Sequence, residues 1–169
     1  MFIKRHGFTL VEVLMVVIIM GIAGMIIVPQ MLNASTLGVQ AASRAVVADT
    51  LYLQSNAIAS QRKRRLVFNV AENWYGLYDL SDPAKPVMLH AKWVQSKKGD
   101  HLYRIDFGED SRFEGVSLVS ANFGGKNYVD FDGLGSPLSG GNVVLMGDGH
   151  RYRISIAPFT ARVTISKLE

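Results

Sequence analysis

The sequence contains no cysteine. Disulfide bonds, zinc–thiolate sites, iron–sulfur clusters and thiol nucleophiles are therefore excluded from this chain. Exported domains often rely on disulfides, so an exported form of this chain has to be held together by its core alone. Net charge is also low, at +4 over 169 residues, and such a weak positive balance does not by itself indicate nucleic acid as a partner.

Polar side chains are missing from residues 13–28, a run of 16 residues. Together with residues 8–11, this run approaches the roughly 20 residues that a helix needs to cross a bilayer. Lys4 and Arg5 stand before it, and basic residues on the short flank of a span predict that this flank stays in the cytoplasm. The larger C-terminal part would then lie outside the membrane.

One carboxylate, Glu12, interrupts the start of this apolar segment. A charge within a membrane helix costs roughly 2.5–3.5 kcal/mol on insertion scales, and such residues are usually functional. Two interpretations stay open. The carboxylate either reaches back to the lipid headgroups, helped by the positive end of the helix dipole, or it awaits a cationic partner from another subunit.

The segment KRHGFTLVE, residues 4–12, resembles the class III signal of type IV pilins and type II secretion pseudopilins. The resemblance implies that a prepilin peptidase cuts after Gly7 and that the new N-terminal residue, Phe8, is N-methylated. It also implies that Glu12 neutralises the N-terminal amine of a neighbouring subunit, and that Pro29 kinks the helix. An ordinary secretory signal peptide is the alternative, but Glu12 would then interrupt a core that has to be apolar.

Beyond Pro29 the chain keeps a helical period. Leu32, Leu37, Ala41, Ala45, Ala48, Tyr52 and Ile58 recur at spacings close to three and four, which predicts an amphipathic helix. We expect one helix over about residues 9–60, bent or loosened near Pro29 and Gly38. Its first half would face lipid or filament, and its second half would pack on the domain that follows.

A period of two replaces the helical pattern after residue 65, which predicts strands. The expected strands are 66–70, 74–80, 87–93, 101–107, 115–120, 128–131, 142–146, 151–156 and 161–166. Gly147-Asp148-Gly149-His150 predicts a tight hairpin turn. A long helix followed only by strands is typical of an α+β fold with a sheet packed on the helix.

The segment VDFDGLGSP, residues 129–137, resembles the C-terminal part of the GspH/FimT family of minor pseudopilins and minor pilins. This resemblance implies a pilin-like α+β fold in which antiparallel strands form two sheets beside the helix. The expected organisation is a cleaved leader at 1–7, a transmembrane and filament-core helix at 8–31, its amphipathic second half at 32–62, and a periplasmic β domain at 63–169.

No catalytic, cofactor or metal motif stands out. The four histidines, His6, His90, His101 and His150, lack the i, i+4 spacing of a helical metal site, while Asp132 and Asp148 suit turns. The basic run 62–65 allows a nucleic-acid contact, but a solvated helix end that complements the helix dipole is the better interpretation. The sequence therefore indicates no enzyme and no cofactor, and it does not favour a nucleic-acid partner.

The function expected from the resemblance is that of a minor pseudopilin of a type II secretion system. Such a subunit lies near the tip of the periplasmic pseudopilus and supports protein export. Its partners would be other pseudopilins, the prepilin peptidase and the inner membrane. Two alternatives remain, namely a minor pilin of a type IV pilus, which primes assembly or takes up DNA, and a membrane-anchored periplasmic enzyme or binding domain.

Overall fold

The computed structural model describes residues 9–32, 34–80 and 103–168. The chain divides into two compact units, Met1–Ala34 and Ser35–Glu169. The first unit contains helix α1 (Leu10–Leu32), and helix α2 (Ala34–Ser60) belongs almost wholly to the second. Both helices fall where the sequence predicted helix. Pro29 lies inside α1, and the predicted kink there stays a prediction.

Over the described residues, no helix combines the length and the apolar character that crossing a bilayer requires.

Eight strands follow α2 within the described part of the chain: β1 (Arg64–Asn69), β2 (Trp74–Asp79), β3 (Arg104–Asp106), β4 (Val116–Asn122), β5 (Tyr128–Phe131), β6 (Gly141–Gly147), β7 (His150–Ile156) and β8 (Val163–Leu168). They form two four-stranded antiparallel sheets, a first sheet in the order β3-β2-β1-β5 and a second in the order β4-β6-β7-β8. The α+β class and the two sheets are confirmed. The strand predicted at 87–93 lies outside the described residues.

The hairpin turn between β6 and β7 is confirmed. Gly147 pairs with His150, and Asp148 and Gly149 both have positive φ, 49° and 74°. Two successive residues with positive φ define the tight turn whose twist matches that of the flanking strands. Asn73 makes a connection between segments that are distant in sequence, because its side chain donates to the Val116 carbonyl (3.0 Å) and accepts from the Leu118 amide (2.7 Å), tying the β1–β2 turn to β4.

The core of the second unit lies between α2 and the two sheets. Its largest fully buried side chains include Phe68, Tyr75, Phe107, Phe123 and Phe131. Phe68 stacks on Phe123 with ring centroids 5.7 Å apart, and Tyr75 packs on Phe107 at 5.5 Å. Aromatic burial on this scale supplies much of the stabilisation, as a domain without disulfides requires.

The face that α2 buries differs from the predicted one. Its buried residues are Val39, Ala42, Ser43, Val46, Thr50, Leu53 and Ala57. Of the predicted stripe, Ala45 and Tyr52 are partly buried against the core, whereas Leu37 (64% exposed), Ala41, Ala48 and Ile58 (51% exposed) face solvent. Ser43 and Thr50 tolerate burial because their hydroxyls donate to the carbonyls of Val39 (2.8 Å) and Val46 (2.7 Å) one turn earlier. These two polar residues interrupt the apolar pattern that would otherwise mark the core face.

Candidate functional site

Helix α1 presents apolar side chains on every side. All twelve large hydrophobic residues from Leu10 to Met25 are at least 47% exposed, and a single carboxylate, Glu12, interrupts them. A helix that is apolar all round needs to be covered by lipid or by other helices. The candidate functional site is therefore this helix surface together with the polar group at its N-terminus.

Glu12 lies at the N-terminus of α1 and forms a capping box with Thr9. The Thr9 hydroxyl accepts from the Glu12 amide (3.3 Å), while Glu12 Oε2 accepts from the Thr9 amide (3.3 Å) and the Thr9 hydroxyl (3.4 Å). This reciprocal pattern satisfies amides that the helix start leaves without intrahelical partners. The Thr-x-x-Glu spacing signals it in the sequence, and our sequence interpretation of Glu12 missed it.

The sequence left two partners open for the Glu12 carboxylate, the lipid headgroups and the amine of a neighbouring subunit. The capping box adds a third partner, Thr9 of the same chain. Its three hydrogen bonds are 3.3–3.4 Å long, near the long limit for such contacts. Charge-assisted bonds to an ammonium are shorter and about twice as strong, so an incoming cation can compete for this carboxylate. Gly7 and Phe8, the two residues at the predicted cleavage point, lie outside the described residues, and their roles stay predictions.

A half-buried carboxylate, Asp49, joins α2 to the first sheet. Its oxygens accept a hydrogen bond of 2.5 Å from the Tyr75 hydroxyl and a short one from the Tyr103 hydroxyl. Burial raises the pKa of Asp49, while the two tyrosine donors and the charge of Arg112 act in the opposite direction. Burial also raises the pKa of Tyr75 and of Tyr103, so both stay donors at neutral pH. This cluster fixes the helix on the sheet.

The raised pKa of Asp49 leads to a prediction about how the stability of the second unit depends on pH. Its pKa in the folded state is above the unfolded value of 3.8, so the stability that this group contributes is fully present below that value and lost as pH rises through the folded pKa. We expect the free energy of unfolding of the wild type, relative to Asp49→Asn, to fall as pH rises from about 4 towards neutrality. Urea denaturation at a series of pH values measures this difference, and a difference that grows with pH would contradict the assignment.

The basic run 62–65 is not a solvated helix end. α2 stops at Ser60, and Arg64 and Arg65 begin β1. Arg64 is buried and forms an ion pair with Asp79, whereas Arg65 donates to both carboxylate oxygens of Asp130 (2.6 and 2.8 Å) and lies 3.7 Å above the Tyr128 ring. Strand alternation divides the run, because Arg64 takes an inward position and Arg65 an outward one. Two of its four charges are therefore used inside the domain.

The remaining candidates act as structural residues where they are described. Asp132 accepts from the amides of Leu134 (2.9 Å) and Ser136 (2.8 Å), as turn aspartates do. His150 belongs to β7, and His6, His90 and His101 lie outside the described residues. The described part of the chain contains no group of three or more histidine or acidic side chains placed to hold a metal ion.

Comparisons with known proteins concern the N-terminal segment and the fold. The model of the prokaryotic N-terminal methylation motif matches residues 3–28. Among solved structures, the chain is similar to the minor pseudopilin EpsH from the type 2 secretion system of Vibrio cholerae. The TM-score is 0.52, the match covers 77% of this chain and 95% of that chain, and 11% of the residues are identical. No curated protein matches the chain.

These findings confirm the predicted resemblance. The protein carries the N-terminal methylation signal, and its α+β fold is that of a minor pseudopilin. At 11% identity the structural match establishes the fold alone. The protein is therefore pilin-like, and its machine and its position in that machine are matters for proposal.

Proposed function

We propose that this protein is a minor pseudopilin of a type II secretion system, which lies near the tip of the periplasmic pseudopilus and supports protein export. One observation carries the proposal: a chain with the N-terminal methylation motif folds like the minor pseudopilin EpsH. Motif and fold are independent of each other, because the motif occupies residues 3–28 and the sheets lie after residue 63.

Assembly follows from the chemistry of the N-terminal helix. The prepilin peptidase hydrolyses the bond between Gly7 and Phe8, and the freed amine of Phe8 is methylated. Residues 8–31 hold the subunit in the inner membrane, with the C-terminal domain in the periplasm. When apolar helices bundle away from water, an ammonium among them needs a counter-charge, and Glu12 of a neighbouring subunit supplies it.

The capping box keeps the Glu12 carboxylate satisfied before that exchange. An isolated carboxylate in lipid is costly, and two donors from Thr9 reduce this cost while the subunit waits. An ammonium then replaces these long hydrogen bonds by a charge-assisted one. Thr9 is in this sense a positioning residue that prepares the carboxylate for its partner.

The solvent side of α2 also suits a subunit that packs among helices. Leu37, Arg44, Leu51 and Ile58 follow one another at seven-residue spacing, and small residues (Ala41, Ala48 and Ser55) lie between them on the same exposed side. A seven-residue repeat keeps one helix face against a partner, and small residues allow close approach. This face supports a role in which helices contact helices.

Glu12 and Thr9 can be separated by substitution. Glu12→Ala is expected to reduce incorporation into filaments about 10- to 100-fold, because a hydrogen bond to a charged group contributes about 1.5–3 kcal/mol. Thr9→Val removes the capping hydroxyl at a cost of about 1 kcal/mol and is expected to reduce incorporation several-fold, while Thr9→Ser keeps the hydroxyl and serves as the matched control. Incorporation is measured by quantifying the protein in sheared filament fractions, and normal assembly of Glu12→Ala would contradict the charge-pairing mechanism.

Deleting the gene tests the choice of machine. We expect secreted enzymes to accumulate in the periplasm while surface pili persist, and we expect the wild-type gene to restore export. Loss of pili with export intact would instead assign the protein to a type IV pilus. Unchanged export and unchanged pili would contradict both assignments.

A further inference from the structure

The two sheets formed by the described strands have four outer edges, and three of these edges are covered or short. The edge of β4 is covered by Asn73, whose side chain bonds to the Val116 carbonyl and the Leu118 amide. The edge of β5 is covered by the loop that follows it, because the Leu138 amide donates to the Asp130 carbonyl (2.8 Å). β3 is only three residues long. Covering segments and short strands are common ways in which proteins block pairing at a sheet edge.

The fourth edge is the outer side of β8, which we call the β8 edge. Among the described strands, β8 pairs with β7 alone. Its four central residues are exposed, and its two end residues are half-buried. Ile165 is 42% exposed although it lies opposite the buried Ile154. The six-residue strand β8 therefore has space beside it for a further strand.

The hydrogen-bond pattern determines which backbone groups the β8 edge presents. The Ala157 amide donates to the Arg162 carbonyl (2.9 Å), and this pair continues the β7–β8 register by one step. Opposed residues in antiparallel strands alternate between pairs that share hydrogen bonds and pairs that do not. Residues 164, 166 and 168 therefore bond to β7. The amides and carbonyls directed outward belong to Val163, Ile165 and Lys167. Such a row of backbone groups is a template for a strand of another chain.

The side chains around the β8 edge are basic. Residues 150–168 contain three arginines and one lysine, and they contain neither aspartate nor glutamate. Arg153 on β7 and Arg162, directly before β8, are both exposed. Side chains alternate between the two faces of a sheet, so Arg153, its opposed residue Ser166 and Arg162 share one face. Ile165 lies on the other face, together with the buried Ile154.

Short side chains on β8 keep Arg153 within reach of a strand that is added at the β8 edge. The backbone of such a strand would lie about 10 Å from that of β7, at twice the usual strand spacing. An extended arginine and a glutamate side chain together span this distance across a residue as small as Ser166. On the other face, an apolar side chain of the same strand would cover Ile165. The edge therefore suits a strand that is acidic on one face and apolar on the other.

A second copy of this chain does not suit the β8 edge. Pairing β8 with the β8 of another copy would bring two sets of four cations together, since each copy contributes three arginines and one lysine from residues 150–168. Like charges on neighbouring strands destabilise a sheet. A lysine on an edge strand commonly prevents such pairing between copies, and Lys167 is exposed on β8. Charge therefore favours a different and acidic partner.

We propose that the β8 edge binds an extended segment of a different protein, which adds to the second sheet as a fifth strand. Aspartate or glutamate side chains of this segment pair with Arg153 and Arg162, and its apolar side chains cover Ile165. Main-chain hydrogen bonds supply affinity in such a complex, and the alternating side chains supply specificity. The proposal rests on residues 141–168 and does not depend on the function proposed above.

Two synthetic probes test the proposal on the full chain in detergent. Both are short capped peptides in which valine alternates with a charged residue, glutamate in one peptide and lysine in the other. We expect the glutamate peptide to bind and to slow amide hydrogen exchange in the segment 163–168, because the outward amides become hydrogen-bonded. The lysine peptide should leave exchange in this segment unchanged. Affinity is measured by fluorescence anisotropy of the labelled peptides, and exchange is measured by mass spectrometry.

Charge reversal gives the sharpest test of specificity. Arg153→Glu with Arg162→Glu is expected to weaken binding of the glutamate peptide at least tenfold and to create binding of the lysine peptide. This exchange of preference also shows that the altered chain still folds and still presents its edge.

A proline substitution tests the backbone contribution separately. Ile165→Pro removes an outward amide without removing a hydrogen bond to β7, and proline is tolerated at such edge positions. We expect it to abolish binding of the glutamate peptide, whereas Ile165→Val keeps the amide and should bind as the wild type does. Thermal unfolding checks that both variants are folded.

Several results would overturn the proposal. Equal binding of both peptides to the wild type would show that charge does not select the partner. Binding without slower exchange in 163–168 would place the contact elsewhere, and no binding of the glutamate peptide would leave the β8 edge without the predicted affinity. Slower exchange that depends on protein concentration, and not on peptide, would assign the edge to a second copy.

Discussion

Arg64→Ala is expected to lower the free energy of unfolding of the second unit by about 3–5 kcal/mol, the range measured when one partner of a buried ion pair is removed. Arg64 is 6% exposed. Its Nε donates to Asn56 (2.7 Å), its Nη2 donates to Ser60 (3.1 Å), and its Nη1 pairs with Asp79. Truncation removes the guanidinium that Asp79 on β2 shares with Asn56 and Ser60 near the end of α2.

Arg62 supplies the matched control, because it belongs to the same basic run and is exposed. Arg62→Ala is expected to change stability by no more than about 0.5 kcal/mol. Urea denaturation of the full chain in detergent, followed by tryptophan fluorescence, measures both variants. Equal losses for Arg62→Ala and Arg64→Ala would show that the buried ion pair and hydrogen bonds of Arg64 contribute no specific stability.

Gly7→Val is expected to stop leader removal completely. The motif match over residues 3–28 supports cleavage beside Gly7, and a branched side chain obstructs a site that accepts glycine. The precursor should keep its seven-residue leader and fail to support export, because its Phe8 amine is never freed. His6→Ala, one residue earlier, is the control and should be processed normally. A Gly7→Val chain that is still shortened and still functions would remove the basis for the pilin interpretation.

The strands and the β6–β7 turn could be predicted because their signals are local. Alternation fixes which side chains of β1 face inward, and two positive-φ residues specify the turn. The same alternation reaches back to Arg64, two residues before Leu66 and four before Phe68, all of them buried. A run of four charges concealed that position, since a buried arginine depends on partners such as Asp79 that are distant in sequence.

The packed face of α2 could not be chosen from the sequence. Both sides of the helix carry large aliphatic residues, with Val39, Val46 and Leu53 buried and Leu37, Leu51 and Ile58 exposed; on the exposed side Arg44 interrupts the seven-residue repeat. Tertiary contacts decide between them, because Gly147 admits Val39 so closely that a Cβ on the glycine would come within 3.0 Å of it. A helix with two apolar sides is expected of a subunit that packs on its own domain and on neighbours.

The sequence could identify Glu12 as the key residue of the N-terminal site, but it could not show which group its carboxylate binds. Glu12 stands out because a charge within an apolar run needs a reason. Its hydrogen bonds to Thr9 follow from the capping-box spacing, yet whether a cation replaces them depends on a second subunit. The sequence of a single chain contains no signal for such a contact beyond the charge itself.

Mass spectrometry of the N-terminus of the mature protein, purified from its native membrane, tests the central claim most directly. If the protein is a processed pilin-type subunit, its first peptide begins at Phe8 and carries one additional methyl group on the α-amine. A mature chain that begins at Met1, or one cut beyond the apolar run by an ordinary signal peptidase, would contradict that claim.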